Sequence, residues 1–265
     1  MSEQPQPIQR DESASIYQPD PILGQYIGHH PSNRLRLLII GGIIYAVPVL
    51  SLQLIFWNVE NAFASVFLPV LFAIIAGAVF WWMLHHWNRE VVLYQRGFSY
   101  RQGSVTAYIL YSNVVRLHQR VERVEFLGIA RKVYHYTLIT DIDETIVIDN
   151  IYNKPDKLTR MLETFIARDR LPIMHHQLSK GAEIPFTPEF RLSQQGLHYQ
   201  EQTLAWADYK AQRIANAHLT IQARDDDEWA RLSVATINNP VLLILMLKER
   251  GQIPHDSVIG AIDEL

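Results

Sequence analysis

Two long apolar runs dominate the pattern of hydrophobic and polar positions along this 265-residue chain. The first extends from Leu37 to Trp57 and the second from Phe63 to Leu84, and neither contains Asp, Glu, Lys or Arg. At about 1.5 Å of rise per residue, a helix formed by either run reaches the roughly 30 Å of a bilayer's hydrocarbon core. Because a lipid-exposed backbone must satisfy its own hydrogen bonds, the pattern predicts a transmembrane helical hairpin over residues 34–88.

Charges beside the two runs predict the side of the membrane on which the rest of the chain lies. Basic residues follow or precede the outer ends of the hairpin, and the short connection contains none; they are Arg34, Arg36, Arg89, Arg96 and Arg101. Since such residues favour the cytoplasmic side, we expect an integral membrane protein with two spans and both termini in the cytoplasm. Tryptophans near the ends of the runs fit interfacial aromatic belts: Trp57, Trp81, Trp82 and Trp87.

The chain before the hairpin is polar. Residues 1–33 are rich in Gln, Pro and Ser and show no sustained apolar period, so we expect a disordered or loosely docked N-terminal arm. Ile22, Leu23 and Tyr26 make its end less polar, and that end is expected to lie on the membrane surface or on the folded domain. The polar start also argues against a cleaved signal peptide.

Polar and small residues within the runs indicate a face for a partner helix. Gln53 is polar, and Ala73 and Gly77 are four residues apart, a spacing that lets another helix approach closely. The interpretation we prefer is that Ala73 and Gly77 pack the two helices of the hairpin against each other.

After Trp87 the pattern changes to short alternating segments separated by turn residues, which predicts antiparallel β structure. The predicted strands are Val91–Tyr94, Phe98–Arg101, Val105–Leu110, Val115–Val124, Val133–Thr140 and Thr145–Ile148. A helix from Pro155 to Asp169 follows, with one buried stripe at helical spacing, and Leu171 and Pro172 are expected to end it. A second helix is predicted from Pro240 to Arg250.

The second half of the soluble part repeats the first in shortened form. The segment from Leu93 to Arg101 aligns with Leu192 to Gln200, so that the turn glycines Gly97 and Gly196 coincide. We expect a positive φ at both glycines. Asn and Pro residues precede each predicted helix at Asn153-Lys154-Pro155 and at Asn238-Asn239-Pro240. We therefore predict two modules, residues 89–172 and a shorter one over 173–265.

These turns, strands and closing helices resemble bacterial pleckstrin-homology-like (PH-like) domains attached to membrane hairpins. The layout from Leu23-Gly24 through the hairpin to Gly97 and Gly196 is similar to an uncharacterised bacterial membrane-protein family of unknown function. The resemblance implies a membrane α-helical hairpin plus α+β fold, with tandem PH-like antiparallel β modules each closed by a C-terminal helix, in the bacterial inner membrane. The second module departs from the full plan by being short, so it is expected to lack strands or to pack as a half-module.

Basic residues of the first module are candidates for binding anionic lipid head groups. Residues 89–172 contain 13 Lys and Arg against 10 Asp and Glu, whereas residues 173–265 contain 8 against 12. A basic module suits the negative cytoplasmic leaflet. The candidates are Arg116, Arg120, Arg123, Arg131 and Lys132. The alternative is a solvated strand face balanced by Glu122 and Glu125.

Adjacent histidines are the other candidates for chemistry. The pairs are His29-His30, His85-His86 and His175-His176, and the first two flank the hairpin on the same predicted side. Imidazole binds zinc or haem iron, but neighbouring helical residues point about 100° apart, so we expect no metal or other cofactor.

The run Asp225 to Glu228 lacks the ligand spacing of a calcium loop and is expected to be a hairpin tip.

No motif of the chain specifies a reaction. There is no phosphate loop, dinucleotide fingerprint, zinc helix motif or serine elbow, and there is no cysteine. The soluble part carries no basic stripe that would indicate nucleic acid. We expect a non-enzymatic membrane-anchored adaptor that contacts membrane lipid and a protein partner or a larger membrane complex. The alternatives are a sensor of anionic lipid and a carrier of metal or haem.

Overall fold

A computed structural model describes residues 19–56, 62–126, 129–225 and 227–251, of which 62–65, 121–126, 129–132 and 251 are described by their backbone. The two apolar runs form long helices, α1 (Arg34–Ile55) and α2 (Ala62–Trp87). Both are long and apolar enough to cross a membrane, and their spans, with mean hydropathy 2.2 and 2.3, are 6% and 0% buried. Helices of a soluble core would be mostly buried, so this exposure is compatible with a two-span membrane protein. Trp57 lies outside the described residues.

The first unit combines two antiparallel sheets with one helix. Its elements are β1 (Tyr26–Pro31), β2 (Glu90–Tyr94), β3 (Gly97–Gln102), β4 (Val105–Leu110), β5 (Val114–Phe126), β6 (Ile129–Thr140), β7 (Thr145–Asp149) and α3 (Pro155–Ser179). One sheet has the order β1-β2-β3-β4 and the other the order β5-β6-β7. Every strand predicted from alternation is confirmed, with ends that differ by at most four residues. Here the apolar alternation was a sufficient signal because one face of each sheet is buried.

The structure differs from the expectation of a loosely docked N-terminal arm at Tyr26–Pro31, which form β1. This strand pairs with β2, and Pro31 lies opposite Glu90 in the register. Just before it, Leu23 is buried against Val92 and Tyr94. Polar composition concealed the strand because β1 lies at the edge of its sheet, where a strand needs few apolar residues. Residues 1–18 of the predicted arm lie outside the described residues.

The second unit has the same plan. Its elements are β8 (Ile184–Pro185), β9 (Phe190–Leu192), β10 (Gly196–Tyr199), β11 (Gln202–Ala205), β12 (Tyr209–Ala215), β13 (His218–Ala223), β14 (Glu228–Ser233) and α4 (Pro240–Gly251). They form sheets of the order β11-β10-β9-β8 and β12-β13-β14. The expectation of missing strands or a half-module was therefore wrong. The unit is shorter because its strands are: β12 and β13 have 7 and 6 residues, where β5 and β6 have 13 and 12.

Equivalent backbone hydrogen bonds show how closely the units correspond. Tyr111 N–H donates to Arg96 O at 3.1 Å, and Trp206 N–H donates to Gln195 O at 3.3 Å. Likewise Asn153 N–H donates to Pro31 O at 2.9 Å, and Asn238 N–H donates to Phe186 O at 2.7 Å. In the second pair of bonds, Phe186 O accepts as Pro31 O does in the first unit. Since Pro31 leads into α1 and Phe186 leads into a turn before β9, the apolar hairpin occupies the position of that turn.

The two turn glycines are required for a reason other than the predicted one. Neither Gly97 nor Gly196 has a positive φ, so the expectation of left-handed turns was wrong. Instead the neighbouring strand comes so close that a β-carbon would collide with the carbonyl oxygen of Ile109 in the first unit and of Leu204 in the second. Close approach of two backbones needs glycine as strictly as a left-handed turn does.

Helix α3 continues ten residues beyond its predicted end and contains Pro172. Proline removes one helical hydrogen bond and usually ends or kinks a helix. Here the residues after it compensate, because Met174 and Leu178 are buried in the core of the second unit. The N-terminal half of the same helix closes the core of the first unit with Leu158 and Leu162. The two units therefore have separate cores that share one helix.

Asn239 joins the second unit to the first. Its backbone N–H donates to Leu117 O at 2.9 Å, and its side-chain amide donates to Val115 O at 2.8 Å. Both acceptors belong to the start of β5, next to the β-bulge that the register shift between Val114 and Arg116 marks. This contact and α3 fix the second unit at the end of β5 that lies farthest from the β5–β6 turn.

Candidate functional site

The junction between the hairpin and the first unit is built from bonds on both sides of the chain. Where the chain enters α1, Ser32 N–H donates to Arg89 O at 2.8 Å and Ser32 Oγ donates to Trp87 O at 2.7 Å. The start of α1 and the end of α2 are thereby held at one level. Both ends of the hairpin continue directly into neighbouring strands of one sheet, without a flexible linker.

The loop after β7 fixes the first turn of α1. Asn33 N–H donates to Ile151 O at 2.6 Å, and Arg36 Nη1 donates to Asn150 O at 2.5 Å. The Asn33 side chain also caps α1, since its Oδ1 accepts from Arg36 N–H at 3.0 Å. Caps of this kind satisfy backbone donors that a helix leaves open at its start. The predicted topogenic residue Arg36 thus has a second role as a link between helix and sheet.

A polar network surrounds this junction. Glu90 binds His29 Nε2 through Oε2 at 2.9 Å and Arg101 Nη1 through Oε1 at 3.4 Å. On the other side of the sheet's end, Gln102 Nε2 lies 3.1 Å from His85 Nε2. Arg34 lies over the Trp87 ring, with its guanidinium carbon 5.4 Å from the centroid.

The histidine pairs do not form a shared site. His29 is engaged by Glu90, His85 by Gln102, and His86 Nδ1 by Trp82 O at 2.8 Å. In the described part of the chain, no group of three or more His, Cys, Asp and Glu side chains is placed to hold a metal ion. His175 instead pairs with Glu249 at 2.6 Å. At the acidic run, Asp225 and Asp227 lie between β13 and β14 as predicted, and Asp226 is outside the described residues.

A polar cavity of about 200 Å³ opens beside the junction, between β1 and the start of α3. From β1 it is lined by Gly28, His29 and His30, and at the start of α3 by the N-cap residue Lys154 and by Lys157. His30 is buried, and its Nδ1 lies 3.3 Å from Asn153 O. Burial lowers the pKa of His30, and the positive charges of Lys157 and Lys154 lower it further.

The five basic residues predicted to bind head groups do not form one cluster. Arg116 lies opposite Ile139 in the β5–β6 register, whereas Arg123 lies opposite Lys132 and Val124 opposite Arg131. Seven residues of strand separate Arg116 from Arg123, which is about 23 Å. Arg116 and Arg120 have exposed side chains. By register, the other end of the hairpin contains Arg123, Arg131 and Lys132. The structure describes these three residues by their backbone only.

That end of the β5–β6 hairpin extends past β7. Tyr134 N–H donates to Asn150 Oδ1 at 3.3 Å, and Asn150 O accepts from Arg36 in the first turn of α1. In the register, β7 pairs with β6 from His135 to Ile139. The part of β6 before Tyr134 therefore extends beyond the end of β7 and beyond the bond between Asn150 and Arg36.

On the predicted partner-helix face, Gly77 lines an open apolar groove between the two helices, opposite Gly42 and Tyr45. Gln53, Ala73 and Gly77 are all exposed, and a β-carbon at Gly77 would meet nothing within 4 Å. At Gly77 the helices are therefore not packed against each other, contrary to the interpretation preferred from sequence. Close packing occurs instead at Gly41, where a β-carbon would lie 2.5 Å from Met83 Sδ.

Sequence reasoning missed β1 and the cavity. Lys154 and Lys157 are ordinary surface lysines in sequence, and their meeting with His30 depends on a pairing across more than 120 residues. One signal was available in the sequence, the alignment of Lys154-Pro155 with Asn239-Pro240. The structure supports that alignment, because both residues before proline have a positive φ, 51° and 54°. The alignment makes the start of α3 equivalent to the start of α4, where Asn239 contacts β5 of the first unit.

Together the fold and the junction define an apolar two-helix hairpin inserted into the first of two tandem α+β units. The chain belongs to a family of unknown function, DUF6585, whose model matches residues 1–253. The expected membership of an uncharacterised family is thereby confirmed. No curated protein matches the chain.

Proposed function

We propose that this protein is a non-enzymatic adaptor of a bacterial inner membrane. The hairpin spans the bilayer, and both units stand at its cytoplasmic face, where they contact a protein partner or a larger membrane complex. The basic residues Arg34, Arg36 and Arg89 at the outer ends of the hairpin support this orientation.

We further propose that both units are PH-like. Each has a four-stranded and a three-stranded antiparallel sheet followed by one helix. Antiparallel strands closed by a C-terminal helix are what the resemblance implies, and this supports the proposal. Fold alone does not define a function, so the adaptor proposal depends on how the units are held and which surfaces they leave open.

The single observation that carries the proposal is the direct continuation of the hairpin into neighbouring strands. Because β1 and β2 pair with each other, Ser32 bonds to Arg89, and Arg36 bonds to Asn150, the first unit has a fixed orientation on the hairpin. The shared helix α3 and Asn239 then fix the second unit on the first. A rigid support of this kind suits a protein that presents a surface at a set distance from the membrane.

The edge strand β11 is the contact surface that we propose. It is the last strand of its sheet, and Gln202, Thr203 and Ala205 are exposed. An edge strand offers backbone donors and acceptors to an extended segment of a partner. The partner predicted in this way binds by strand addition at the second unit.

Single-cysteine variants test both parts of the proposal, because the natural chain contains no cysteine. Cysteine at Thr106 and at Gln202 should react with a membrane-impermeant maleimide in inside-out vesicles and not in right-side-out vesicles. Reaction of the two sites from opposite sides would contradict the topology.

A photo-crosslinker on Gln202 in native membranes should give one discrete adduct, while the exposed helix position Gln177 serves as the control. Equal adducts from both sites, or none from Gln202, would contradict strand addition.

Anionic lipid binding by the β5–β6 hairpin is a second proposal. The observation that favours it is the extension of this hairpin past the level of Arg36, with Arg123, Arg131 and Lys132 at neighbouring register positions. Replacing these three residues with Gln should reduce cross-linking of the hairpin to anionic lipid in nanodiscs. The same replacement of Arg116, at the other end of the ladder, is the control.

A further inference from the structure

We infer that the cavity between β1 and α3 binds a phosphate group, and that the group belongs to a phospholipid at the membrane surface. The inference goes beyond the adaptor function, and its lipid source rests on the proposed membrane location of the hairpin. It concerns a site separate from the basic β5–β6 hairpin.

The chemistry of the lining favours an anion. Lys154 and Lys157 supply two ammonium groups, which are the donors that the lining offers to an anion. None of the eight residues that line the cavity is acidic. The nearby carboxylate of Glu90 is bound by His29 at 2.9 Å and Arg101 at 3.4 Å, and its negative charge is thereby balanced. Charge-assisted hydrogen bonds from ammonium groups to phosphate oxygens are the strongest contacts available to such a site.

Comparison with the second unit shows that the lysines are not required by the fold. Counting from Pro155 and Pro240, Lys154 corresponds to Asn239 and Lys157 to Leu242. The interior positions agree, because Leu158 and Leu162 are buried like Leu243 and Leu247. In the second unit Asn239 and Leu242 are covered by the first unit. In the first unit the start of α3 is exposed to solvent, and the lysines Lys154 and Lys157 stand at the positions of Asn239 and Leu242.

The position of the cavity selects the source of the phosphate. Asn153 N–H donates to Pro31 O, and Pro31 lies three residues before the start of α1. The cavity residue Asn153 is thus bonded to the segment that leads into the proposed span, the level at which lipid phosphates lie. A volume of about 200 Å³ accommodates one head-group phosphate and excludes a bulky polyanion.

The test uses the full chain in neutral detergent and a fluorescent short-chain phosphatidate, followed by anisotropy. The variant Lys154→Asn/Lys157→Leu installs the residues of the second unit and should weaken binding at least tenfold. Lys157→Gln, a change of one exposed side chain, should weaken it severalfold and covers the case in which the double variant fails to fold. Lys180→Gln, at the other end of α3, is the matched control and should bind like the natural chain.

Two further measurements separate the sources. Inorganic phosphate alone should compete only at concentrations far above those of the phosphatidate, and a fluorescent phosphatidylcholine with the same chains should bind more weakly. Equal binding of phosphatidate by the natural chain and by both lysine variants would overturn the site. Competition by inorganic phosphate at the same concentration as phosphatidate would overturn the lipid source. The maleimide experiment decides the membrane location independently of either result.

Discussion

The two units of this protein follow one plan and differ most at a single connection. In the second unit, Phe186 at the end of the β8 segment is followed by a turn, and β9 begins at Phe190. In the first unit, Pro31 and Glu90 face each other across the strands as Phe186 and Phe190 do, and the two long helices separate them. Pro31 and Phe186 both accept a backbone hydrogen bond from the asparagine two residues before the closing helix, Asn153 and Asn238. The hairpin is therefore an insertion into a complete domain and not a leader placed before it.

An insertion between paired strands has a mechanical consequence. A domain that follows a span through a linker can rotate, whereas a domain that pairs the strands on both sides of the hairpin cannot, since Ser32, Asn33 and Arg36 bond across the junction. The second unit, which has no such insertion, uses the corresponding surface at Asn239 to dock on the first. One surface of the common plan therefore faces the other unit in one case and the proposed membrane surface in the other.

The largest effect should come from removing the insertion. We predict that replacing residues 32–89 with the second unit's Thr187-Pro188-Glu189 yields a protein that is soluble without detergent and keeps both units folded. The strands β1 and β2 would then be joined as β8 and β9 are. Size-exclusion chromatography and circular dichroism without detergent test this. Aggregation or loss of the β signal would contradict the equivalence of the two connections. Deleting residues 32–89 with no turn is the control, because it leaves the two strands too close to pair.

The next effect concerns the glycine that both units share. Gly97→Ala and Gly196→Ala should each destabilise their own unit by about 3 kcal/mol, because a β-carbon cannot fit against the carbonyl oxygen of the neighbouring strand. Thermal unfolding in detergent measures the loss. Gly77→Ala is the control, since a β-carbon there meets no atom within 4 Å. A loss below about 1 kcal/mol at both turn positions would show that the strands can separate freely.

The sequence allowed the hairpin, the strands from β2 onward and the repeat to be predicted, because each depends on a local apolar period. It did not reveal β1, since six residues with two histidines and a glycine form a strand only when β2 is present to pair with them. It also misplaced the end of α3, because the burial of Met174 and Leu178 in another unit outweighs the local cost of Pro172. Beyond the alignment of Lys154-Pro155 with Asn239-Pro240, the cavity left no local signal, since Lys157 and His30 come together only through the junction.

A smaller effect is expected at Glu163, on the face of α3 that meets the second unit. Its side chain lines the interface with Leu117 and Asn239, and its Oε1 is buried without a hydrogen-bond partner among the described residues. Burial raises the pKa of this carboxyl to about 7, although the charge of Arg160 opposes the shift. Since the folded protein holds this proton more tightly than the unfolded chain, stability falls as pH rises from about 4.5 to about 7.

The variant Glu163→Gln should remove this pH dependence. We expect it to be more stable than the natural chain by up to about 3 kcal/mol above pH 7 and equally stable near pH 4. Unfolding midpoints in detergent at pH 4, 6 and 8 measure the difference. A variant that is less stable than the natural chain at pH 8 would show that the ionised carboxylate makes a favourable contact across the interface. Glu189→Gln, an exposed carboxyl of the second unit, is the control and should change none of the midpoints.

The smallest effect should come from the side chain that joins the units. Asn239 has a φ of 54°, and its amide donates to Val115 O, so Asn239→Ala loses a hydrogen bond and places alanine in a left-handed conformation. The expected cost is about 2 kcal/mol, whereas Asn239→Gly, which tolerates this φ, should cost about 1 kcal/mol. The difference between the two variants isolates the backbone contribution.

Lys154 provides the comparison, because it has a φ of 51° at the equivalent position and its side chain makes no capping hydrogen bond. Lys154→Gly should leave stability unchanged or raise it slightly, because glycine relieves the left-handed strain without removing a contact between units. If Asn239→Gly and Lys154→Gly changed the unfolding midpoint alike, the Asn239 amide would contribute nothing to holding the second unit on the first.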